Sequence, residues 1–404
     1  MRICVVVGSA DISGGTFVLF QHALHLQEQG HDVTVATMYP LDVVAPDWHP
    51  ALRVLRFCLV DEVSGRFDLA VATWWKSVYE LHKVDADRYC YFVQSIESRF
   101  YPEREQPLRR LVEDTYDLPL PVITEATWIQ QHLEERQGRR VRLVRNGVLK
   151  EVYRPDGPAD VPRLERGLRV LVEGPLGVDF KNVPRTLRLC ADAGVDELWL
   201  LTITDVDSYP GVDRVISRVP VARTAEVYRS CDVLVKLSYV EGMFGPPLEM
   251  FHCGGTAIVY AVSGHDEYIV DGENALVVPP GDEAGVVAAL HRLRDDPALV
   301  RRLKEGAART AAAWPDWPTS STGFAAALDE VVAEPPVRRE DFARAAALAW
   351  DRYVAAEQAR LRRSPARRAA ATLKPWLRRR SPRTFRALAA AHYRWTAGRF
   401  SRAR

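Results

Sequence analysis

Residues 3–7, Ile-Cys-Val-Val-Val, stand almost at the start of the chain, and together with the segment up to Ala36 they narrow the fold to one class. A short apolar run with no polar alternation suits a strand buried on both faces of a parallel sheet. Parallel neighbours cannot be joined by a hairpin, so a crossover is required. The sequence supplies one: a polar, glycine-containing loop at 8–15, a helix-length stretch ending at Gly30, and a second strand at 33–36. This is a βαβ unit. Further strands are expected at 69–73, 89–93, 121–124 and 141–144. The pattern breaks at Arg154-Pro155-Asp156-Gly157-Pro158. It resumes near residue 166, with strands expected at 168–172, 197–201, 233–237, 256–259 and 275–278. Two successive α/β series imply two Rossmann-like domains facing each other across a cleft, with ligands beyond the carboxyl ends of the strands. The expected boundaries are 1–160, 161–332, a helical extension at 333–360 and a tail at 361–404.

Composition sharpens this. With 47% hydrophobic and 26% charged residues the chain reads as a soluble globular protein. No run approaches the roughly 18 apolar residues of a spanning helix, and the first residues read as a strand rather than a signal peptide. A cytoplasmic location is therefore expected. The six cysteines are scattered with no C-x-x-C pair, as reduced core thiols would be. The net charge of +1 hides a split. Residues 361–404 carry fourteen Arg and Lys and no acidic residue, which leaves 40 basic against 53 acidic residues in 1–360. Within this tail Phe385, Leu388, His392 and Trp395 recur at helical spacing. A basic, aromatic-bearing helix of that kind suits an anionic membrane surface, so peripheral membrane attachment is expected. Nucleic acid is not an expected partner, since no recognition module accompanies the charge.

The chemistry is expected at Glu241-Gly-Met-Phe-Gly-Pro-Pro-Leu-Glu249. This string comes directly after an apolar strand, and Pro246 and Pro247 favour the first positions of a helix. The helix start would face the cleft, where its dipole and free amides favour a diphosphate. Glu241 and Glu249, on either side of that start, would accept hydrogen bonds from sugar and ribose hydroxyls.

The stretch resembles the E-x7-E signature of retaining GT-B glycosyltransferases, above all glycosyltransferase family 4. Gly254-Gly255-Thr256, Gly272-Glu-Asn-Ala-Leu-Val-Val-Pro279 and Asp282 match the family's usual surroundings, and the resemblance covers roughly residues 1–330. It implies that Glu241 contacts the donor sugar, that Glu249 contacts the ribose, and that Lys181, after Glu173-Gly174, contacts the diphosphate. Glu241 and Lys181 are thereby the expected catalytic residues. Gly14, Gly15, Arg145, Asn146, Gly174, Met243, Phe244, Gly245 and Leu248 join them as expected donor contacts. The family's Arg after the glycine is replaced here by Pro175, which implies either weaker charge compensation at the diphosphate or help from Arg145 or another Arg.

The His that many members carry after the strand at 89–93 is absent. Gln94, Ser95 and Glu97 stand in that region as acceptor or sugar candidates. This variant is similar to a bacterial surface-polysaccharide subgroup that includes rhamnosyltransferases, which commonly has Asp where Ser95 stands. The implied reaction moves a hexose or deoxyhexose from a nucleotide diphosphate sugar to a glycan or lipid-linked acceptor. No cofactor or metal is expected. Asp85-Ala-Asp87 and Asp205-Val-Asp207 are read as ordinary loop residues, and His22 and His25 as packing or surface residues. The loop at 8–15 is not G-x-G-x-x-G, which argues against a nicotinamide cofactor. A nucleotide-sugar epimerase, a phosphorylase and a non-catalytic sugar-nucleotide-binding module remain the alternatives.

Overall fold

The computed structural model describes residues 1–40 and 48–362. The basic stretch from 363 onward, with its expected membrane helix, lies outside them. The first lobe runs β1 (Arg2–Val7), α1 (Gly14–Glu28), β2 (Asp32–Thr37), α2 (Ala51–Val54), β3 (Arg56–Leu59), β4 (Arg66–Ala72), α3 (Trp75–Glu80), β5 (Asp85–Val93), α4 (Gln106–Tyr116), β6 (Val122–Thr124), α5 (Thr127–Gln137) and β7 (Arg142–Leu143). The second runs β8 (Arg169–Glu173), α6 (Val183–Asp192), β9 (Glu197–Thr202), β10 (Arg214–Ser217), α7 (Val221–Ser230), β11 (Val233–Lys236), α8 (Gly245–His252), β12 (Thr256–Tyr260), β13 (Leu276–Val278), α9 (Glu283–Asp295) and α10 (Pro297–Ala313). Two helices close the described chain, α11 (Trp317–Ala333) and α12 (Arg339–Arg362).

Among the described residues the strands form two parallel sheets, ordered β3-β2-β1-β4-β5-β6-β7 and β10-β9-β8-β11-β12-β13. Strand order reverses between β1 and β4 in one and between β8 and β11 in the other. These switch points are where open α/β sheets leave a crevice for ligands. The sequence pattern places β1, β2 and nine others within a few residues. It misses β3 and β10, one edge strand of each sheet.

Both sheets are covered on both faces, as all-parallel sheets must be. Phe20, Leu26 and Val18 of α1 pack on one side of the first sheet, and Leu111 and Val112 of α4 with Ile129 and Leu133 of α5 on the other. The final helices return to this lobe. Phe324, Leu328 and Val331 of α11 join the α1 layer, and Phe342, Ala346 and Ala349 of α12 join the α4 layer. Sequence order puts residues up to 332 with the second domain; α11 instead belongs spatially to the first lobe. His22 explains part of that docking. It is buried, lies flat on Phe324 at 4.2 Å and meets Ser321 Oγ at 3.0 Å. Burial drives its pKa down to about 3, so it packs as a neutral ring. His25 reaches Thr322 of the same helix at 3.4 Å.

Candidate active site

The lobes face each other across a cavity of about 720 Å³, within the range of small-molecule sites. The strand ends at both switch points line it: Gly8 after β1, Thr73 and Trp74 after β4, Glu173 and Pro175 at β8, and Lys236 with Glu241 after β11. Gly14, Gly15, Gln94, Ser95, Glu97, Asn146, Lys181, Met243, Gly245, Leu248 and Glu249 also line it. The expected site residues are thus gathered from both lobes, with three exceptions.

Arg145 is one. Its guanidinium is half-exposed and bonds Glu267 Oε1 at 2.6 Å, while the same carboxylate takes the Thr127 N–H at 2.9 Å. Arg145 therefore ties one lobe to the other beside the cavity instead of facing it. Phe244 is the second. Its ring is fully buried in the second-lobe core, and its carbonyl accepts the Tyr268 hydroxyl. Gly174, the third, is placed by its backbone. Its φ of +139° is open to glycine and strained for other residues, and it turns the chain from β8 out along the cavity edge.

The floor of the cavity is a chain of alternating charges. Lys181 Nζ bonds Glu241 Oε2 at 2.6 Å, Lys236 Nζ bonds Glu173 Oε2 at 2.6 Å, and Lys236 stands 4.0 Å from Glu241 Oε1. Burial alone would raise the Glu241 pKa, but Lys181 and then Lys236 outweigh it and hold the carboxyl below its ordinary value. Glu249 behaves in the opposite way. Burial and the nearby Glu173 push it up to about 7, although the Tyr228 and Tyr153 hydroxyls and Lys236 oppose the rise. The environments of the two glutamates thus pull in opposite directions: the lysines favour the ionised form of Glu241, while burial and Glu173 favour the neutral form of Glu249.

The α8 start offers fewer amides than the sequence suggests. Pro246 and Pro247 fill its first turn, the Gly245 N–H is donated to the Met243 carbonyl at 3.0 Å, and the Met243 N–H to Glu125 Oε1 at 3.1 Å. Prolines carry no N–H, so the α8 start leaves few free amides to receive an anion.

On the first-lobe side, Ser95 Oγ and Asn146 Oδ1 are buried without a hydrogen-bond partner among the described residues. Unsatisfied polar atoms are rare in protein interiors, and both of these residues line the cavity. Gln94 lies against Gly15, where an added Cβ would stand 3.3 Å from its Oε1. Glu97 has a structural task as well. Its carboxyl accepts the Trp75 N–H at 2.9 Å and the Tyr91 hydroxyl at 3.3 Å, and burial raises its pKa to about 8.

Glu125 and Lys236 are not singled out by sequence. Glu125 comes just after β6, accepts from Asn146 Nδ2 at 2.9 Å, and its pKa rises to about 7, chiefly through burial. Glu125, Glu173 and Lys236 share one signal, a charge at the carboxyl end of a buried parallel strand. Asp85-Ala-Asp87 and Asp205-Val-Asp207 do not line the cavity; Arg66 pairs with Asp87 and Arg218 with Asp205. Among the described residues no group of three or more His, Cys, Asp or Glu is arranged to hold a metal ion.

Residues 213–310 match the family model described as glycosyl transferases group 1. The matched segment lies in the second lobe of a GT-B fold. Among proteins similar to it, the O-antigen biosynthesis protein RfbC of Myxococcus xanthus is 27% identical over 72% of this chain and 22% of its own length. A D-inositol 3-phosphate glycosyltransferase of Streptomyces bingchenggensis is 32% identical over 37% of this chain and 30% of its own. The chain thus spans less than a third of either relative. The GT-B architecture is shared with the sucrose-phosphate synthase of Thermosynechococcus elongatus, at a TM-score of 0.65, 18% identity and coverage of 82% of this chain and 99% of that one. Anabaena HepE, solved in complex with UDP-glucose, superposes with a TM-score of 0.64 at 17% identity, covering 82% of this chain and all of the other. Among the described residues no helix of this GT-B chain is long and apolar enough to cross a membrane.

Proposed function

We propose that the chain is a retaining, metal-independent glycosyltransferase that moves a hexose or deoxyhexose from a nucleotide diphosphate sugar to a glycan or lipid-linked acceptor during surface-polysaccharide synthesis. The observation that carries this reading is the ion pair of Lys181 and Glu241, 60 residues apart in sequence, on the floor of a cleft that Glu249 also lines. Lys181 is placed to meet the developing charge of a diphosphate leaving group, which is where preorganised electrostatics contribute most. Glu241 accepts from sugar hydroxyls, and Glu249, once ionised, from the ribose. Ser95, Gln94 and Asn146 face the same space from the first lobe, where an acceptor docks.

Relatives named for O-antigen biosynthesis and inositol phosphate glycosylation, and a structural neighbour that holds UDP-glucose, support a nucleotide-sugar donor. The basic stretch 361–404 is read as a contact to the anionic membrane face that presents a lipid-linked acceptor. Transfer assayed with Glu241→Ala tests the reading: near-complete loss is expected, and retained transfer sinks it.

A further inference from the structure

Lys236 is a charged residue in the middle of a core. It ends the strand Val-Leu-Val-Lys, has 3% exposure, and neighbours Glu173 on the adjoining strand β8, one step beyond the Val235–Val172 pairing. An ammonium moved out of water costs several kcal/mol unless it is well paired. Lys236 is paired: Glu173 Oε2 lies at 2.6 Å, the Glu173 carbonyl at 3.2 Å and Glu241 Oε1 at 4.0 Å. Its ammonium also sits against the Gly174 turn, where a Cβ would be 3.7 Å away. It is therefore a fixed cation beneath the cavity.

Lys181 differs. It stands on a short 3-10 turn, Asp179–Lys181, and is 24% exposed, so a ligand can draw it away. Glu241 depends on both lysines. Oε2 is held by Lys181, while Oε1 is buried with Lys236 as its neighbouring cation, and the Ser238 hydroxyl stands close enough to favour the ionised form as well. If Lys181 turns to a diphosphate, Glu241 loses its short partner. A buried carboxylate without a counter-charge takes up a proton, and a protonated carboxyl is a poorer acceptor for sugar hydroxyls.

We propose that Lys236 is a positioning residue that keeps Glu241 ionised and oriented toward the donor sugar while Lys181 engages the diphosphate. This rests on the donor reading above. The charged groups facing Glu241 are Lys181 and Lys236; Glu173 and Glu249 act on Lys236 from β8 and α8, and the Tyr268 hydroxyl senses both Glu241 and Glu249. Ribose and diphosphate contacts are common to a nucleoside diphosphate and its sugar, so the ratio of the two affinities isolates Glu241.

The test is calorimetric titration of the full chain with UDP and UDP-glucose, GDP and GDP-mannose, and dTDP and dTDP-rhamnose, between pH 4 and 8. Lys236→Met is expected to lower affinity for the sugar nucleotide by about tenfold or more relative to its parent diphosphate, the usual consequence of unpairing a buried charge. The pH below which the sugar's contribution disappears should also move upward. Lys236→Arg should recover most of the loss. Glu173→Gln leaves Lys236 with one competitor fewer and should move the same limb to lower pH, which keeps the proposal testable if the methionine variant does not fold. An unchanged affinity ratio and pH limb in Lys236→Met or Glu173→Gln overturns the proposal alone. Failure of the wild type to bind any of these pairs overturns the donor reading and the proposal with it.

Discussion

Gly242 offers the sharpest perturbation of the contact between the lobes. It stands next to Glu241, and a Cβ built there would lie 2.1 Å from the Gln94 carbonyl oxygen and 3.0 Å from Glu125 Oε1. Its backbone is not in the left-handed region, so Gly242→Ala introduces a steric conflict and no intrinsic strain. Ordinary contact begins near 3.4 Å, so the methyl group demands a displacement of about 1.3 Å from backbone that cannot swing aside. The Trp128 indole, 3.0 Å from the Gly242 carbonyl, and the Met243 N–H on Glu125 hold the same loop from the first lobe. Overpacking of this size costs about 1–3 kcal/mol. If the lobes part to relieve it, the closed-to-open ratio falls by roughly 5- to 150-fold, since 1.4 kcal/mol is a factor of ten. Initial rates of nucleoside diphosphate release at limiting donor should give kcat/KM lower by that factor. The thermal midpoint should move little, because opening relieves the conflict within the folded state before unfolding begins. A kcat/KM within twofold of wild type would refute the idea that this contact shapes the catalytic state.

The geometry carries further expected outcomes. On the proposed ribose role of Glu249, its ionised form is the better acceptor, so donor affinity should rise as pH increases through about 7 and then level off; a flat profile from pH 6 to 8 contradicts this. The stability of the free protein should run the other way between pH 6.5 and 8: Glu249 and Glu125 near 7 and Glu97 near 8 lie above their ordinary 4.5, so the folded state holds protons that the unfolded chain has released. Leu328→Ala, at a fully buried α11 position packed in the first lobe, should cost about 2–5 kcal/mol in denaturant unfolding; a loss under about 1 kcal/mol would remove α11 from that core.

The sheets were legible because buried parallel strands are short apolar runs. That rule also explains the misses. β3 (Arg-Phe-Cys-Leu) and β10 (Arg-Val-Ile-Ser) are edge strands with polar ends and partial exposure, so neither presents such a run. α11 was legible as a helix, but its periodicity does not say which lobe it packs on. At the site, Glu241, Glu249, Lys181 and the glycine loop could be read because each lies in a local string with its own geometry. Arg145 was misplaced because its partner Glu267 is 122 residues away. Lys236 and Glu173 were hard to see for a related reason. Lys236 is an isolated charge in an apolar strand and Glu173 closes a strand that Arg169 opens, and only the parallel register of β8 and β11 makes them a pair.

The central claim is that the cleft between the lobes receives a nucleotide diphosphate sugar whose phosphates meet Lys181. Calorimetric titration of the wild type and of Lys181→Ala with UDP-, GDP- and dTDP-sugars tests it most directly. Saturable binding of one series by the wild type, weakened about tenfold or more in the variant, is the predicted result. Binding of none of them, or equal binding by both proteins, would contradict it.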